Sequence, residues 1–210
     1  EDGDEEIGDT LDVVAELERQ VDQLRLEDTG QALHAANAML QVADSVGDER
    51  TRANALRVKG NMSLYQGHYQ ESLACYSEAR EIRARYGEKL EIARLQVGWT
   101  WALRDLARYD EALEMGLATR EILLEHEKWG WLANLELNIG IIYQLTDRYD
   151  EALATYEQSR DHFLRAGNSV NAARAQVNAA RAMVCQDRFR EALALLNQTP
   201  ASSPKDTSPT

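Results

Sequence analysis

Apolar side chains return at three- and four-residue intervals along most of the chain, which is the period of an amphipathic helix. Between residues 69 and 86 one such stripe contains Leu73, Tyr76, Ala79 and Ile82. Gly87 follows the stripe, at a place where a left-handed residue commonly ends a helix. The pattern therefore predicts a helix over about 69–86, with one face buried against neighbours.

The same pattern returns every forty residues. Five aligned segments read TGQAL, HYQESL, RYDEAL, RYDEAL and RFREAL, and they begin at Thr29, His68, Arg108, Arg148 and Arg188. Alanine recurs at the same spacing at Ala53, Ala93, Ala133 and Ala173. A small residue recurs at Gly60, Thr100, Gly140 and Ala180. Several positions that share one period over most of the chain indicate an internal repeat.

Each repeat predicts two helices joined by short turns. Extending the spacing predicts about ten helices, which start near residues 10, 29, 49, 69, 89, 109, 129, 149, 169 and 189. Glycine stands at the turn position in Gly47, Gly87 and Gly167, and Glu127 is the exception. All three prolines lie in the last eleven residues, as expected of a helical chain, because proline breaks helix interiors.

The spacing of small and aromatic residues resembles the tetratricopeptide repeat. The second and fourth repeats carry the pattern as Gly60, Tyr69, Ser72, Tyr76 and as Gly140, Tyr149, Ala152, Tyr156. The fifth repeat keeps it as Ala180, Phe189, Ala192 and Leu196, whereas the third departs from it at Thr100 and Gly116. The period of forty exceeds the usual period of about thirty-four. It is similar to the longer repeats of kinesin light chains, Pins-type adaptors and many bacterial regulators.

This resemblance implies an all-α fold, a right-handed α-solenoid of about five helix pairs. The repeats are expected over about 10–48, 49–88, 89–128, 129–168 and 169–199. The acidic residues 1–9 are predicted to be a disordered lead, and the Pro/Ser/Thr-rich residues 200–210 a flexible tail.

The motif YDEAL, at 109–113 and 149–153, is predicted to begin the second helix of a pair. We expect its tyrosine to pack beside the small residue of the first helix, and its leucine to enter the core. Its two acidic residues lie in the first turn, where the helix dipole favours negative charge. The motif is therefore interpreted as structural.

The net charge of −13 argues against nucleic-acid binding and against an anionic membrane surface, since both need a basic protein surface. No run of 18 apolar residues predicts a transmembrane helix. Cys75 and Cys185 are far apart, which favours reduced thiols in a cytoplasmic protein. The four histidines show no metal-ligand spacing, and no phosphate loop or nucleophile motif occurs. The sequence therefore predicts a protein that is not an enzyme and needs no cofactor or metal.

In proteins with this repeat, the first helix of each pair lines a concave ligand-binding surface. The resemblance carries over to four positions on one face of each first helix, counted from the small residue. Arg57 is added because it matches part of a carboxylate clamp, although the rest of the clamp is not present. The predicted groove residues are Asn54, Arg57, Asn61, Tyr65, Arg94, Trp101, Asn134, Asn138, Ile141, Arg174, Asn178 and Arg181.

These residue types suit an extended peptide. Asparagine amides both donate and accept hydrogen bonds, so they can pair with a peptide backbone of any sequence. The face positions hold four arginines (Arg25, Arg94, Arg174 and Arg181) against Glu18 and Asp105, an excess of +2 within a chain of −13. Such a groove would attract negative ligands. Tyr65, Trp101 and Ile141 could form side-chain pockets.

The sequence thus predicts an adaptor that binds an extended acidic or neutral segment of a protein partner in its groove. Two alternatives stay open at this point. The first is an oligomerisation or scaffold module that acts through its terminal helices, including homo-oligomers through the end repeats. The second is a regulatory domain of a larger enzyme or transcription regulator.

Overall fold

The computed structural model describes residues 2–25 and 27–198, and the regular secondary structure within them is entirely helical. Ten α-helices follow one another along these residues. They are α1 (Asp2–Leu24), α2 (Thr29–Val46), α3 (Glu49–Tyr65), α4 (Tyr69–Arg85), α5 (Lys89–Asp105), α6 (Tyr109–Glu125), α7 (Trp129–Leu145), α8 (Tyr149–Arg165), α9 (Ser169–Cys185) and α10 (Phe189–Leu196). The predicted all-α fold class is confirmed.

The helices from α2 to α10 begin at the residues that the forty-residue spacing predicts. The first helix differs, because α1 begins at Asp2 and residues 2–9 are helical where we predicted a disordered lead. No proline interrupts this stretch, and once a helix has formed each further residue adds one backbone hydrogen bond. The tail predicted at 200–210 lies outside the described residues.

A residue with left-handed backbone stands in the turn between helices every twenty residues. Four of these residues are glycines, including Gly67 and Gly167, and the others are Ala107, Glu127, Asp147 and Asp187 with φ of 58°, 52°, 58° and 61°. Glu127, the exception in the sequence, therefore adopts the same conformation as the glycines. The next N–H bonds back into the helix, as Arg148 N does to the Tyr143 carbonyl oxygen at 2.8 Å, which satisfies an otherwise unpaired carbonyl.

The chain divides between Ala107 and Arg108 into two compact units. The N-terminal unit holds α1 to α5, and the C-terminal unit holds α6 to α10. The division falls within the third predicted repeat, 89–128, which is also the repeat whose sequence departs from the small-and-aromatic pattern. The repeat boundaries and the right-handed sense stay predictions.

The core of the N-terminal unit is formed by apolar faces of all five of its helices. Val14, Val21, Met39 and Met62 pack together from α1, α2 and α3. A second cluster joins α3, α4 and α5 around the fully buried ring of Tyr76. A Cβ atom added at Gly60 would lie 2.8 Å from Cε1 of this ring, so the ring needs a glycine beneath it.

The C-terminal unit repeats this packing with Tyr156 above Gly140, where an added Cβ would lie 2.6 Å from Cε1. The expectation that the first tyrosine of YDEAL packs beside the small residue is therefore wrong. Tyr149 stays half-exposed at the turn, and its hydroxyl donates to Asp147 at 2.6 Å. The ring two turns later reaches the partner helix instead. Leu153 is buried as expected, whereas Leu113 is only half-buried.

Candidate functional site

The predicted groove residues lie on four helices, in two sets of six. The set in the N-terminal unit lies on α3 and α5 and comprises Asn54, Arg57, Asn61, Tyr65, Arg94 and Trp101. The set in the C-terminal unit lies on α7 and α9 and comprises Asn134, Asn138, Ile141, Arg174, Asn178 and Arg181. These sets are called the α3–α5 face and the α7–α9 face.

Two polar residues of the α3–α5 face, Asn54 and Arg57, donate their hydrogen bonds to a carboxylate of the same unit. Arg57 Nη2 donates to Glu18 Oε1 at 2.6 Å, and Asn54 Nδ2 donates to Glu18 Oε2 at 2.9 Å. Arg57 Nη2 also donates to Asn54 Oδ1 at 2.8 Å, and Arg57 is only 8% exposed. The expectation that Asn54 and Arg57 offer open polar groups to a ligand is therefore wrong, because α1 brings Glu18 onto the same face.

Arg94 completes the charge balance of this face. Its Nη1 lies 3.5 Å from Oε2 of Glu91, one turn earlier on α5. Burial and the nearby positive charge of Arg94 lower the pKa of Arg57, and Glu18 works in the opposite direction. Two arginines are thus matched by two carboxylates, and these residues give the face no positive excess.

Two aromatic rings form the apolar part of the α3–α5 face. The rings of Tyr65 and Trp101 meet edge to face, with centroids 5.3 Å apart. Trp101 Nε1 donates to Asp105 at 2.8 Å, and the Arg104 guanidinium lies 5.6 Å from the Trp101 ring centroid. This fixed ring pair could contact an apolar side chain of a ligand.

Asn61 differs from Asn54 because its partner comes from the core. Tyr76 Oη donates to Asn61 Oδ1 at 2.7 Å. No described residue hydrogen-bonds to Asn61 Nδ2, and the side chain is half-buried. The sequence pattern placed Tyr76 in the core but did not predict its hydrogen bond to Asn61 on the face. The spacing of apolar residues does not show which polar group the hydroxyl of a buried tyrosine contacts.

On the α7–α9 face, α9 presents two exposed arginines, Arg174 and Arg181. Within residues 2–25 and 27–198, neither guanidinium makes an ion pair or a hydrogen bond. Asn178 lies between them on the same face of α9, half-buried and likewise without a hydrogen-bond partner in the described part of the chain. Seven residues of helix separate the two arginines by about 10 Å along the helix axis.

The residues that α7 contributes are less open than predicted. Asn134 is exposed, but its Nδ2 donates to the Gly130 carbonyl of its own helix at 2.7 Å. Asn138 is only 7% exposed and Ile141 is half-buried, because α7 packs against α6, α8 and α9 and buries most of its surface. The predicted exposure of Asn138 as a groove residue is wrong.

A buried carboxylate that the sequence reasoning missed joins three helices of the C-terminal unit. Glu136 on α7 is fully buried; its Oε1 accepts from Arg120 Nε of α6 at 3.0 Å, and its Oε2 lies 2.7 Å from His162 Nδ1 of α8. The Trp129 ring stacks on His162 with centroids 5.5 Å apart. A glutamate within the apolar run LELNIGII was the available signal.

Other chemistry is sparse among the described residues. Within them, no group of three or more His, Cys, Asp or Glu side chains could hold a metal ion. Burial raises the pKa of the Cys75 thiol to about 11, which keeps it protonated, and Cys185 is exposed. No helix in residues 2–25 and 27–198 has both the length and the apolar character needed to cross a membrane.

Residues 131–199 match the family model of the tetratricopeptide repeat (TPR). The match covers the helix pair that seats Tyr156 on Gly140, together with the pair that follows it. These two helix pairs match tetratricopeptide repeats. The sequence resemblance is thereby confirmed, and the expected all-α fold of stacked TPR pairs agrees with it.

Solved TPR structures share this fold at low sequence identity. A Rap protein complexed with competence and sporulation factor matches with a TM-score of 0.79 and 15% identity, over 86% of this chain and 51% of that chain. The Rap conjugation gene regulator of plasmid pLS20, in complex with the Phr* peptide, matches at 0.74 and 17%, over 83% and 49%. TPR-like repeats described as a kinesin light chain from Podosopora anserina match at 0.68 and 14%, over 89% and 92%.

This chain spans about half of the length of both Rap proteins, 51% and 49%. A search of curated protein sequences finds no significant match. At these identities the comparisons establish the fold of the chain, while ligands and partners must be argued from its own residues.

Proposed function

We propose that this TPR protein is a non-enzymatic adaptor that binds an extended, acidic segment of a protein partner on the α7–α9 face. The observation that carries the proposal is the pair Arg174 and Arg181, both exposed and both without a charge partner in the described part of the chain. They belong to a chain of net charge −13 in which most other arginines pair with acids.

The chemistry of the face favours a carboxylate-bearing ligand. A guanidinium binds a carboxylate through two parallel hydrogen bonds, and this geometry is available at both arginines. Positive groups within an acidic body also focus the local field, which raises the association rate of a negative segment. Asn178 lies between the arginines and offers both a donor and an acceptor, so it suits the backbone of that segment.

The comparisons support a peptide ligand by analogy. One Rap regulator of the same fold is in complex with the Phr* peptide. A cytoplasmic setting belongs to the same proposal and is supported by Cys185, whose exposed thiol is unbridged. Exposed free thiols persist best in reducing compartments.

The test uses a random library of twelve-residue peptides displayed against the full chain. We expect the enriched peptides to contain Asp or Glu. The double variant Arg174→Gln, Arg181→Gln should weaken the best peptide at least tenfold in calorimetry, because it removes both charge-assisted contacts.

A matched control changes the same charge elsewhere. Arg80 and Arg190 are also exposed and make no ion pair or hydrogen bond within the described residues, so Arg80→Gln, Arg190→Gln removes two arginines away from the face. This control should change affinity by less than twofold. Peptides without acidic residues, or equal losses in the two double variants, would contradict the proposal.

A second candidate function, self-association through the last helix pair, rests on a different observation. Leu193 of α10 is 62% exposed, whereas Leu153, at the matching position of α8, is 9% exposed beneath α9. Phe189 of α10 and Val177 of α9 are also exposed apolar residues of this helix pair. A concentration-dependent dimer in light scattering that Leu193→Glu abolishes and Arg174→Gln does not would favour this function; a monomer at all concentrations would exclude it.

A further inference from the structure

We infer that Tyr76 sets the orientation of the Asn61 amide so that the α3–α5 face offers a pair of N–H donors, which binds a backbone carbonyl oxygen of a peptide partner. The inference rests on the proposed function, since its ligand is an extended peptide. It concerns a different unit and assigns a positioning role to a tyrosine outside every predicted site.

The tyrosine is fixed before it reaches the face. Its ring is fully buried and sits above Gly60, and Trp99 stacks against it with centroids 6.4 Å apart. Burial raises the pKa of Tyr76, so the phenol stays protonated at neutral pH and its hydroxyl is able to donate. The bond of 2.7 Å to Asn61 Oδ1 therefore comes from a hydroxyl oxygen whose position the buried ring fixes.

Gly98 opens the path by which the hydroxyl reaches the face. A Cβ atom added there would lie 2.8 Å from Tyr76 Cζ, closer still to the hydroxyl oxygen, and 3.2 Å from Asn61 Oδ1. Real Cβ atoms do not approach a fixed ring so closely, so any other residue would displace the hydroxyl or the amide. Position 98 thus holds no side chain of its own, which leaves room for the Tyr76–Asn61 contact.

The consequence is a position on the face whose open group is a donor. Asn61 Oδ1 already accepts from Tyr76, whereas Nδ2 carries two hydrogens without a partner among the described residues. A carbonyl oxygen of a ligand can accept a hydrogen bond from that nitrogen. Nearby charges are balanced by the pairs Arg57–Glu18 and Arg94–Glu91, so a neutral carbonyl fits better than a carboxylate. The Tyr65–Trp101 ring pair would contact the neighbouring side chain of the peptide.

The C-terminal unit has the same ring packing without this arrangement. Tyr156 sits above Gly140, but its hydroxyl donates to Gln144 Oε1 at 2.9 Å. Two repeats of forty residues further along the chain, Ile141 stands at the position that corresponds to Asn61. Asn178 stands at the position that corresponds to Gly98. Tyr156→Phe is therefore a matched control that removes a hydroxyl from an equivalent ring.

The orientation is tested without any partner, by nuclear magnetic resonance of side-chain amides in the full chain. We expect the Asn61 amide protons to exchange rapidly with water in the wild type. Their resonances should move in Tyr76→Phe and stay in place in Tyr156→Phe. Slowly exchanging Asn61 protons, which would mean that the nitrogen faces Tyr76, or unchanged resonances in Tyr76→Phe, would overturn the inference.

Carbonyl binding is tested with the tightest peptide of the twelve-residue library that the Arg174→Gln, Arg181→Gln variant still binds, so that the measurement concerns the α3–α5 face alone. Tyr76→Phe should weaken the affinity for this peptide about threefold or more, because it removes the hydrogen bond that orients the Asn61 amide. Tyr156→Phe should weaken it by less than twofold. Asn61→Asp, which replaces the donors by an acceptor, should weaken it at least tenfold. Equal affinity of Tyr76→Phe and wild type would overturn the carbonyl assignment.

A failure to fold, a failure of the proposed function and a failure of this inference give different results in these measurements. Thermal unfolding identifies a variant that fails to fold, and Gly98→Ala then serves as the second variant, because it displaces the hydroxyl while keeping Tyr76. A library that yields no binding peptide would contradict both the proposed function and carbonyl binding, while the amide spectrum would still decide the orientation. If the Arg174→Gln, Arg181→Gln variant binds no library peptide at all, the result would support the proposed function and overturn carbonyl binding on the α3–α5 face.

Discussion

The two faces carry similar residues and differ in where the acids of their own unit lie. On the α3–α5 face, Glu18 and Glu91 stand beside the arginines and pair with them. In the C-terminal unit, Glu136 lies in the interior with Arg120 and His162, and Arg174 and Arg181 stay without a partner in the described residues. The basic character of such a face therefore depends on the positions of its acids more than on its number of arginines.

The difference also separates stability from binding. A guanidinium that is already paired and buried has given up its hydration, so its loss affects folding. An exposed, unpaired guanidinium contributes little to folding and keeps its capacity for a ligand. Arginine therefore stabilises the fold on the α3–α5 face, whereas on the α7–α9 face it remains available to a ligand.

The largest effect is expected at the buried carboxylate of the C-terminal unit. Glu136→Ala leaves Arg120 and His162 without their shared acceptor in a buried site, so the free energy of unfolding should fall by about 3 kcal/mol. Urea denaturation followed by circular dichroism measures this. Glu157→Ala, an exposed position in the same unit, should change it by less than about 0.5 kcal/mol. Similar values for the two variants would show that the buried network does not stabilise the fold.

The next effect distinguishes the two kinds of arginine. Arg57→Ala should lower the free energy of unfolding by about 2 kcal/mol, since it removes the positive charge that pairs with Glu18. Arg174→Ala should change it by less than about 0.5 kcal/mol. Chemical denaturation of both variants, side by side, is the measurement. If Arg174→Ala proves the more destabilising, the assignment of the two residues to different tasks is wrong.

A smaller effect, on peptide affinity, should follow from removing the negative charge of Glu18 from the α3–α5 face. Glu18→Gln keeps the size of the side chain and removes the negative charge that holds Arg57. We expect acidic peptides from the library to bind about twofold to fivefold more tightly at low salt, and the gain to shrink at high salt as the charges are screened. Calorimetry at two salt concentrations tests this. A gain that does not depend on salt would indicate a cause other than charge.

The smallest effect concerns acid. Asp48 and Asp28 cap α3 and α2 in the N-terminal unit, and hydrogen bonds from Thr51 and Gln31 lower their pKa values. Because the folded pKa lies below the unfolded one, the stabilisation is present above about pH 4 and is lost as the pH falls through the folded pKa. In the C-terminal unit, α9 is capped by Asn168, which does not titrate.

The double variant Asp28→Asn, Asp48→Asn tests this difference. Asparagine caps helices about as well as aspartate, so the unfolding temperature at pH 7 should stay nearly unchanged. Its decrease between about pH 4 and about pH 3 should become smaller. Thermal unfolding across this pH range measures both, and an unaltered acid profile would assign the acid sensitivity to other carboxylates.

Much of the fold could be predicted from the sequence because the repeat encodes it locally. The helix starts from Thr29 to Phe189 follow the spacing, and the rings of Tyr76 and Tyr156 sit on the glycines that the pattern singled out. The helical start at Asp2 and the division after Ala107 were not predicted, since both depend on how helices continue or pack rather than on a repeated position.

The candidate site was less predictable. A helical period tells which residues share a face, and it placed Asn61, Arg174 and Arg181 on faces of their first helices. It does not tell which side chain of another helix meets them. The pairing of Arg57 with Glu18, 39 positions apart, and the burial of Asn138 on α7 both depend on such contacts.

The turns between helices have a consequence for engineering this chain. Ala107 and Glu127 hold a left-handed backbone that side chains adopt at a penalty of about 1 kcal/mol, and neither residue belongs to a candidate face. Glycine at these two positions would relieve that penalty. Substitutions in these turns could therefore raise the unfolding temperature without changing any residue of the two proposed binding faces.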